Sequence, residues 1–600
     1  MTNLWWSRVE KRPALAVTLS VLWVILIGGI AFLWHLGSIG LIDETEPLFA
    51  EASRQMFVTG DWITPFFNAE TRFDKPALIY WCQAIAFSIL GVNEWAVRLP
   101  SALAAIGLIG LAFYTIQRYF ARKDELEQRY RPALRWITAG FGTAVMALNP
   151  EMIVWGRTGV SDMLLTGCMA SALLCFFLGY AHPSKSNVQA RWYIAFYVLI
   201  AAAILTKGPV GIVLPGLIIG IFLLYLGNIT QVLQEMRPLT GLLIVICLSL
   251  PWYVLVIWRN GWDYINSFFG YHNVERFTTV VNRHSAPWYF YFVVVLLGFA
   301  PYSVYLPLAM GRLKFWQRKY WRSQERSQQL GLFAFCWFVG IFGFFTIAVT
   351  KLPSYVLPLM PAAAILMALL WGDLLDRGDK GDKADVAISS LSTPSSLSLP
   401  RFQWIGWVNV VFLSAIAVTM FYLPQIIGSD PAAPDFRNSL ERSGLTILGG
   451  VIWIVSAIAI AVSLMRRRYK IVLIINIVGF AAFLTIVLTP ALFLMDRERQ
   501  LPLRELSEIV VQTQKPGEEL VMVGFKKPTV VFYTRRTVTY KKISVDAAQY
   551  LQDKAAKKPS PSSVLVLAQP KKFPEMGFKP TDYENLGTHG AYQLVRFVFK

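Results

Sequence analysis

The sequence predicts an α-helical polytopic membrane protein of about thirteen spans, followed by a small C-terminal α/β domain. Three observations predict it. Apolar runs near span length recur along a 600-residue chain that is 55% hydrophobic and only 16% charged, and ~20 apolar helical residues cross the hydrocarbon layer. Lys and Arg gather in alternate loops between those runs. From residue 501 onward the long apolar runs give way to short β-branched and aromatic stretches.

The spans read as approximately 14–36, 95–117, 134–154, 162–181, 192–206, 209–227, 239–258, 287–309, 329–350, 352–375, 404–424, 445–465 and 471–494. The first, Ala14–Leu36, exceeds a signal-peptide core and has no convincing cleavage site, so it is expected to be retained. Basic clusters arbitrate orientation: Arg8, Lys11 and Arg12, then Arg118–Arg135, Arg312–Arg326 and Arg466–Lys470 all fall on one side, which is then cytoplasmic. The loop Asp43–Pro76, the loop 259–286 and the C-terminal domain fall outside, with the N-terminus cytoplasmic. The formal charge of +19 then reflects topology and acidic headgroups rather than nucleic acid. Cys82, Cys168, Cys175, Cys247 and Cys336 lie in apolar surroundings with no metal spacing and no evident disulfide framework.

The domains are therefore 1–495, a membrane domain with an outer loop 37–94 and a polar, Ser-rich cytoplasmic linker 376–402, and 501–600, an external α/β domain. Within the latter, Leu520–Val523, Thr529–Tyr533, Val564–Ala568 and Tyr592–Phe599 read as strands and Val545–Lys557 as a helix. It carries no nucleophile motif and no Gly-rich phosphate loop, and is expected to be structural or partner-binding.

Chemistry concentrates in Leu41–Leu90. Asp43 and Glu44 lie just past a span end, and carboxylates at membrane depth are functional-site hypotheses by default. The bland alternative is a capped loop with solvated charges. Thr45 is positioned to cap the following helix, with Pro47 in its first turn. Leu48, Phe49, Ala52 and Met56 form an apolar stripe opposite Glu51, Arg54 and Gln55, as in a helix lying in the interface. Pro76 starts a second helix, whose first amides and Lys75 offer an anion site.

Lys75, Lys207 and Lys351 each stand alone at an outer turn, against the positive-inside rule. One such lysine is ordinarily a snorkelling side chain; three suggest a shared anionic ligand, such as a lipid-linked phosphate. Asp162, in Arg-Thr-Gly-Val-Ser-Asp (Arg157–Asp162), reads either as a helix N-cap or as a second carboxylate beside Asp43. Tyr271–Phe277 holds His272, Glu275 and Arg276, and His284 follows. A histidine there with a carboxylate from elsewhere suits a divalent metal, though structural histidines are commoner.

Asp-Glu-Thr (Asp43–Thr45), Ala-Glu-Ala-Ser-Arg-Gln-Met (Ala50–Met56), Gly-Asp-Trp (Gly60–Trp62), Asp-Lys-Pro (Asp74–Pro76), Thr-Lys-Gly (Thr206–Gly208), His-Ser-Ala-Pro-Trp-Tyr (His284–Tyr289) and Lys-Leu-Pro-Ser-Tyr (Lys351–Tyr355) follow one another in the order that resembles GT-C glycosyltransferases. The group in question holds lipid A aminoarabinose transferases and bacterial relatives of protein O-mannosyltransferases, and the resemblance runs from about Leu41 to Pro361. It implies a polyprenyl-phosphate sugar donor and no nucleotide cofactor. Asp43 would be the principal catalytic carboxylate, with Glu44 beside it and Asp162 as a second acid. Lys75 and Tyr355 would meet the donor phosphate; Lys207 and Lys351, singled out by their placement against the charge rule, and Arg276 join them as candidate donor-phosphate cations. Asp74 and His272 would hold a divalent metal. Two departures stand out. Where the aminoarabinose enzymes have Arg directly after Asp-Glu-Thr, this chain has Glu46. An ungapped alignment back from Arg276–Phe277 puts Asn273, not His272, at the metal histidine.

The reading is an inverting glycosyltransferase that moves a sugar from a polyprenyl-phosphate donor to an envelope acceptor, either a lipid A-like glycolipid or a protein. A transporter or lipid flippase is the rival from another class. It would place its charges near the midplane on broken helices, often with repeat symmetry, whereas these gather at span ends.

Overall fold

A computed structural model of the chain describes residues 9, 11–128, 131–182, 186–268, 270, 285–378, 399–556 and 563–599. Among them, ten helices are long and apolar enough to cross a membrane, and two bent pairs, Pro132–Ala147 with Pro150–Gly156 and Phe290–Gly298 with Ser303–Gly311, bring the number to twelve. The thirteenth expected span, 209–227, is the helix Val210–Leu226, apolar but only 17 residues long. Ten to twelve helices thus pass as spans by length and composition, and Val210–Leu226, at the ~17-residue lower limit for crossing the hydrocarbon layer, makes the thirteenth. The two bends have sequence causes. Asn149-Pro150 breaks the first, with the Asn149 carboxamide accepting from Met152 N, and Pro301 follows the helix end in the second.

The bundle has a basic end. Arg131 and Arg135 both bond Asp124, Arg131 reaches Asp376, and Arg312 pairs with Asp373. Arg122 pairs with Glu325, Arg326 with Glu235, and Trp371 donates to Lys470 O. The basic loops separated in sequence thus meet at one end, as the charge pattern requires.

At the opposite end, the loop 37–94 folds into a helix Thr45–Thr59, a two-residue hairpin β1 (Phe66–Phe67) and β2 (Glu70–Thr71), and a helix Leu78–Leu90. Two expectations change here. Thr45 is the first helical residue and Glu44 precedes it without a side-chain cap. Its expected polar face is not solvated but buried in the protein, with Glu51 at 1% and Arg54 at 7% exposure. Arg54 satisfies that burial by gripping both Glu51 oxygens at 2.7 Å, a charge-assisted fork.

The C-terminal domain is a five-stranded sheet of β3 (Glu519–Val523), β4 (Val538–Lys541), β5 (Ser563–Ala568), β6 (Glu584–His589) and β7 (Tyr592–Val598), in the order β4-β3-β5-β7-β6. β3 pairs parallel with β4 and β5; β7 runs antiparallel to β5 and β6. Alternate side chains serve two cores. Leu520 and Met522 pack with Leu503, Leu506 and Val510 of the helix Leu501–Thr513. Val521 and Val523 pack with Ala547 and Leu551 of the helix Ser544–Ala556. The expected strand Thr529–Tyr533 is instead a helix, Pro528–Thr534. Parallel neighbours need a crossover, and this helix supplies the one between β3 and β4. Pro528 sets its first turn, and Arg535, at φ 57°, ends it. The expected linker 376–402 is helical to Gly378 and again from Leu399; its middle lies outside the described residues.

Candidate active site

Glu46 and Arg98 set the floor of the site. Both are 1% exposed. Arg98 bonds both Glu46 oxygens at 2.8 Å and the carbonyls of Leu36, Ile39 and Gly40. Glu46 also accepts from Ile42 N and Gly159 N. Glu46 is thus the anchor that fixes the turn before it, and Asp43 is held on that turn.

Asp43 points at the C-terminal domain. Its Oδ1 accepts from Thr529 N at 3.1 Å, while Oδ2 is buried without a partner. Burial pushes its pKa above the ordinary 3.8, against the pull of Thr529 and the Lys527 ammonium. Glu44 is exposed. The domain holds this turn at further points: Tyr533 Oη accepts from Leu41 N and donates to Glu94. Asn68, in the β1–β2 turn, exchanges two hydrogen bonds with the Val538 backbone.

A second cluster lies beyond Phe49, less than two helical turns along from Asp43. Phe49 stacks on Tyr80 at 5.6 Å and lies under Arg72 at 5.2 Å. Arg72 and Lys75 both bond Asp74, at 2.9 and 2.7 Å. Asp162 bonds Lys207 at 2.7 Å and feels the charge of Lys75. Lys207 in turn lies 5.7 Å from the Tyr355 ring. Lys75, Asp162, Lys207 and Tyr355 therefore share one site, drawn from four distant segments. Asp162 does not cap its helix, whose N-cap is Val160. Lys351 is placed differently: its ammonium caps the end of Leu330–Ile347, donating to Thr346 O and Ala348 O and lying over Tyr291. Arg276 and His272 lie outside the described residues.

Asp74 does not present a metal site on its own. Its carboxylate is engaged by two cations, and no three His, Cys, Asp or Glu side chains gather among the described residues. A divalent ion there would have to displace Arg72 or Lys75.

Three features escaped sequence reasoning. Glu151, at 7% exposure, accepts from Trp155 Nε1 and acts electrostatically on Asp162; its signal was the Asn-Pro break in an apolar run. The Glu46–Arg98 anchor had no local signal, because its partners are 52 residues apart. The third is the approach of Lys527 and Thr529 to Asp43.

Comparison with known proteins places the fold. Residues 74–258 match the family model "Dolichyl-phosphate-mannose-protein mannosyltransferase". Residues 513–600 match "Cyanobacterial RgtA-type glycosyltransferase, C-terminal domain". The chain is 31% identical over 344 residues to an undecaprenyl phosphate-alpha-4-amino-4-deoxy-L-arabinose arabinosyl transferase 2 of Proteus mirabilis, covering 56% of this chain and 57% of that protein. A Shewanella sediminis arabinosyl transferase is 28% identical, covering 60% of each. The chain thus aligns with well under two thirds of these relatives' length. In structure it superposes on ArnT from Cupriavidus metallidurans, solved with undecaprenyl phosphate, at TM-score 0.74 and 21% identity over 97% of both chains. The archaeal oligosaccharyltransferase AglB of Archaeoglobus fulgidus follows at TM-score 0.51 and 11% identity, covering 93% of this chain and 70% of that one. The chain has the GT-C fold, of the kind seen in ArnT, along nearly its whole length.

Proposed function

We propose that this GT-C-fold membrane protein transfers a sugar from a polyprenyl-phosphate donor to an envelope acceptor, a lipid A-like glycolipid ahead of a protein. The observation that carries the reading is the cluster Lys75–Asp162–Lys207–Tyr355, which collects two cations at the end of the bundle opposite the basic loops. The partial matches to arabinosyl transferases that use undecaprenyl phosphate support the same donor class.

Lys75 and Lys207 meet the donor phosphate, and Tyr355 lies against Lys207. Asp162 holds Lys207 in place until the phosphate arrives. Asp43 takes the proton of the acceptor hydroxyl. That oxygen bonds to the anomeric carbon as the carbon–oxygen bond to phosphate breaks, with inversion, and polyprenyl phosphate leaves with the electron pair. Charge then grows on the leaving phosphate beside two ammonium groups, in a low-dielectric setting where fixed charges act strongly. In orientation, the basic end faces the cytoplasm and the site faces outward, by the charge rule. The membrane is then the bacterial inner membrane, and the C-terminal domain is external.

Titration of the detergent-solubilised protein with a short-chain polyprenyl phosphate tests the donor side. Lys75→Met and Lys207→Met are each expected to weaken binding about tenfold, since a charge-assisted contact contributes ~1.5–3 kcal/mol. Lys351→Met, whose cation is spent on helix carbonyls, is expected to bind as wild type. Equal affinity in wild type, Lys75→Met and Lys207→Met would remove the phosphate site.

A further inference from the structure

The C-terminal domain brings Asp43 a set of polar groups that the fold itself leaves unused. Thr529 is fully buried; its Oγ1 makes no hydrogen bond of good geometry, although its side chain acts on the Asp43 carboxylate. Tyr540 Oη is buried and equally unpartnered. Asp43 Oδ2 is the third such atom. Lys527 is 9% exposed and its ammonium makes no ion pair or hydrogen bond among the described residues, yet its charge acts on Asp43. Asp43 in turn acts on Tyr540 and Tyr592, so these groups surround one spot. Lys526 and Glu44 also carry charge nearby, Lys526 lying 5.2 Å from the Tyr540 ring, and Arg499 and Asp430 act on Tyr592.

Buried polar atoms are nearly always paired in folded proteins. Here several unpaired ones, with a near-buried lysine, fall in a single junction and complement one another. A lysine ammonium and two hydroxyls donate; one carboxylate oxygen accepts. That combination suits an oxyanion lying next to a hydroxyl. Lys75 and Lys207, read above as the cations of the donor phosphate, are held instead by Asp74 and Asp162.

We propose that Lys527, Thr529 and Tyr540 of the C-terminal domain form the acceptor half of the active site, holding a phosphate or carboxylate of the acceptor beside Asp43. The reacting hydroxyl then rests on Asp43 Oδ2. The proposal builds on the reading of Asp43 as the proton acceptor. It makes the domain a specificity element: acceptors without an anionic group are poor ones.

The test is binding, on the full chain in detergent. A glucosamine disaccharide lipid bearing a phosphate, its carboxymethyl counterpart and its uncharged counterpart are titrated in turn. Wild type is expected to bind at least one anionic form about tenfold or more tightly than the uncharged one, and the tighter of the two identifies the oxyanion. Lys527→Met is expected to erase that preference, and Lys527→Arg to keep most of it. Polyprenyl phosphate binding is expected to be unchanged in both variants. No preference in wild type overturns the proposal, and that measurement holds even if a variant fails to fold. A preference intact in Lys527→Met overturns it too. So does an equal loss of polyprenyl phosphate binding, which would put the cation on the donor side. If wild type shows the preference and the variants behave as expected but no sugar is transferred, the acceptor site stands and the transferase reading falls.

Discussion

Asp43→Asn is expected to lower sugar transfer by about 10²–10⁴-fold, the usual range for losing a general base. The fold is expected to be indifferent. The amide keeps the shape of the carboxylate, and its oxygen accepts from Thr529 N as Oδ1 does now. The Glu46–Arg98 anchor beneath the turn is untouched. Burial already disfavours the charge on Asp43, so neutralising it removes a desolvation cost rather than a stabilising pair. Purified variant and wild type, supplied with the same polyprenyl-phosphate sugar and acceptor, give the rates, and a thermal scan gives the stability. Transfer at the wild-type rate would strip Asp43 of its role. A large fall in thermal midpoint alongside the lost activity would make it structural instead.

The largest effect on stability is expected from Arg98→Met. The guanidinium bonds Glu46 twice and three backbone carbonyls. Removing it strands a carboxylate that is 1% exposed. Breaking a buried pair from one side costs about 3–5 kcal/mol, because the remaining charge is uncompensated. Glu46→Gln combined with Arg98→Met is expected to recover part of the loss, since the stranded charge is gone; the two effects do not add, as they fall on one pair. Thermal midpoints of the two single variants and the double variant decide it. Additive losses would mean that the pair is not one unit.

Much of the bundle was legible because spans are set by length and hydropathy, and sidedness by cations. The prolines at Asn149-Pro150 and Pro301 each lie inside an apolar run of span length, where hydropathy alone does not distinguish a bent span from a straight one. The cluster of Lys75, Asp162, Lys207 and Tyr355 was half legible. Lys75, Lys207 and Asp162 could be singled out as charges at span ends, but which of them meet is a matter of tertiary geometry. Lys351 looks identical to the others in sequence, and only the carbonyls it caps distinguish it. Burial reversed the reading of Glu51 and Arg54, whose helical spacing suggests a solvated face until their ion pair is seen. The error at Thr529–Tyr533 arose because β-branched residues fit a strand locally, while a parallel sheet demanded a crossover there.

The hydrogen bonds from the C-terminal domain to the loop have a consequence for biogenesis. Thr529 reaches Asp43 across 486 residues, and Val538 reaches Asn68 across 470. A ribosome at ~5–20 residues per second releases the second partner of each pair tens of seconds after the first. Throughout that interval the bundle can insert and pack while the turn bearing Asp43 lacks its far contacts. A nascent or truncated chain therefore carries Lys75 and Lys207 while the turn bearing Asp43 still lacks its far contacts, and on the proposed function competence arrives only once the last domain has docked.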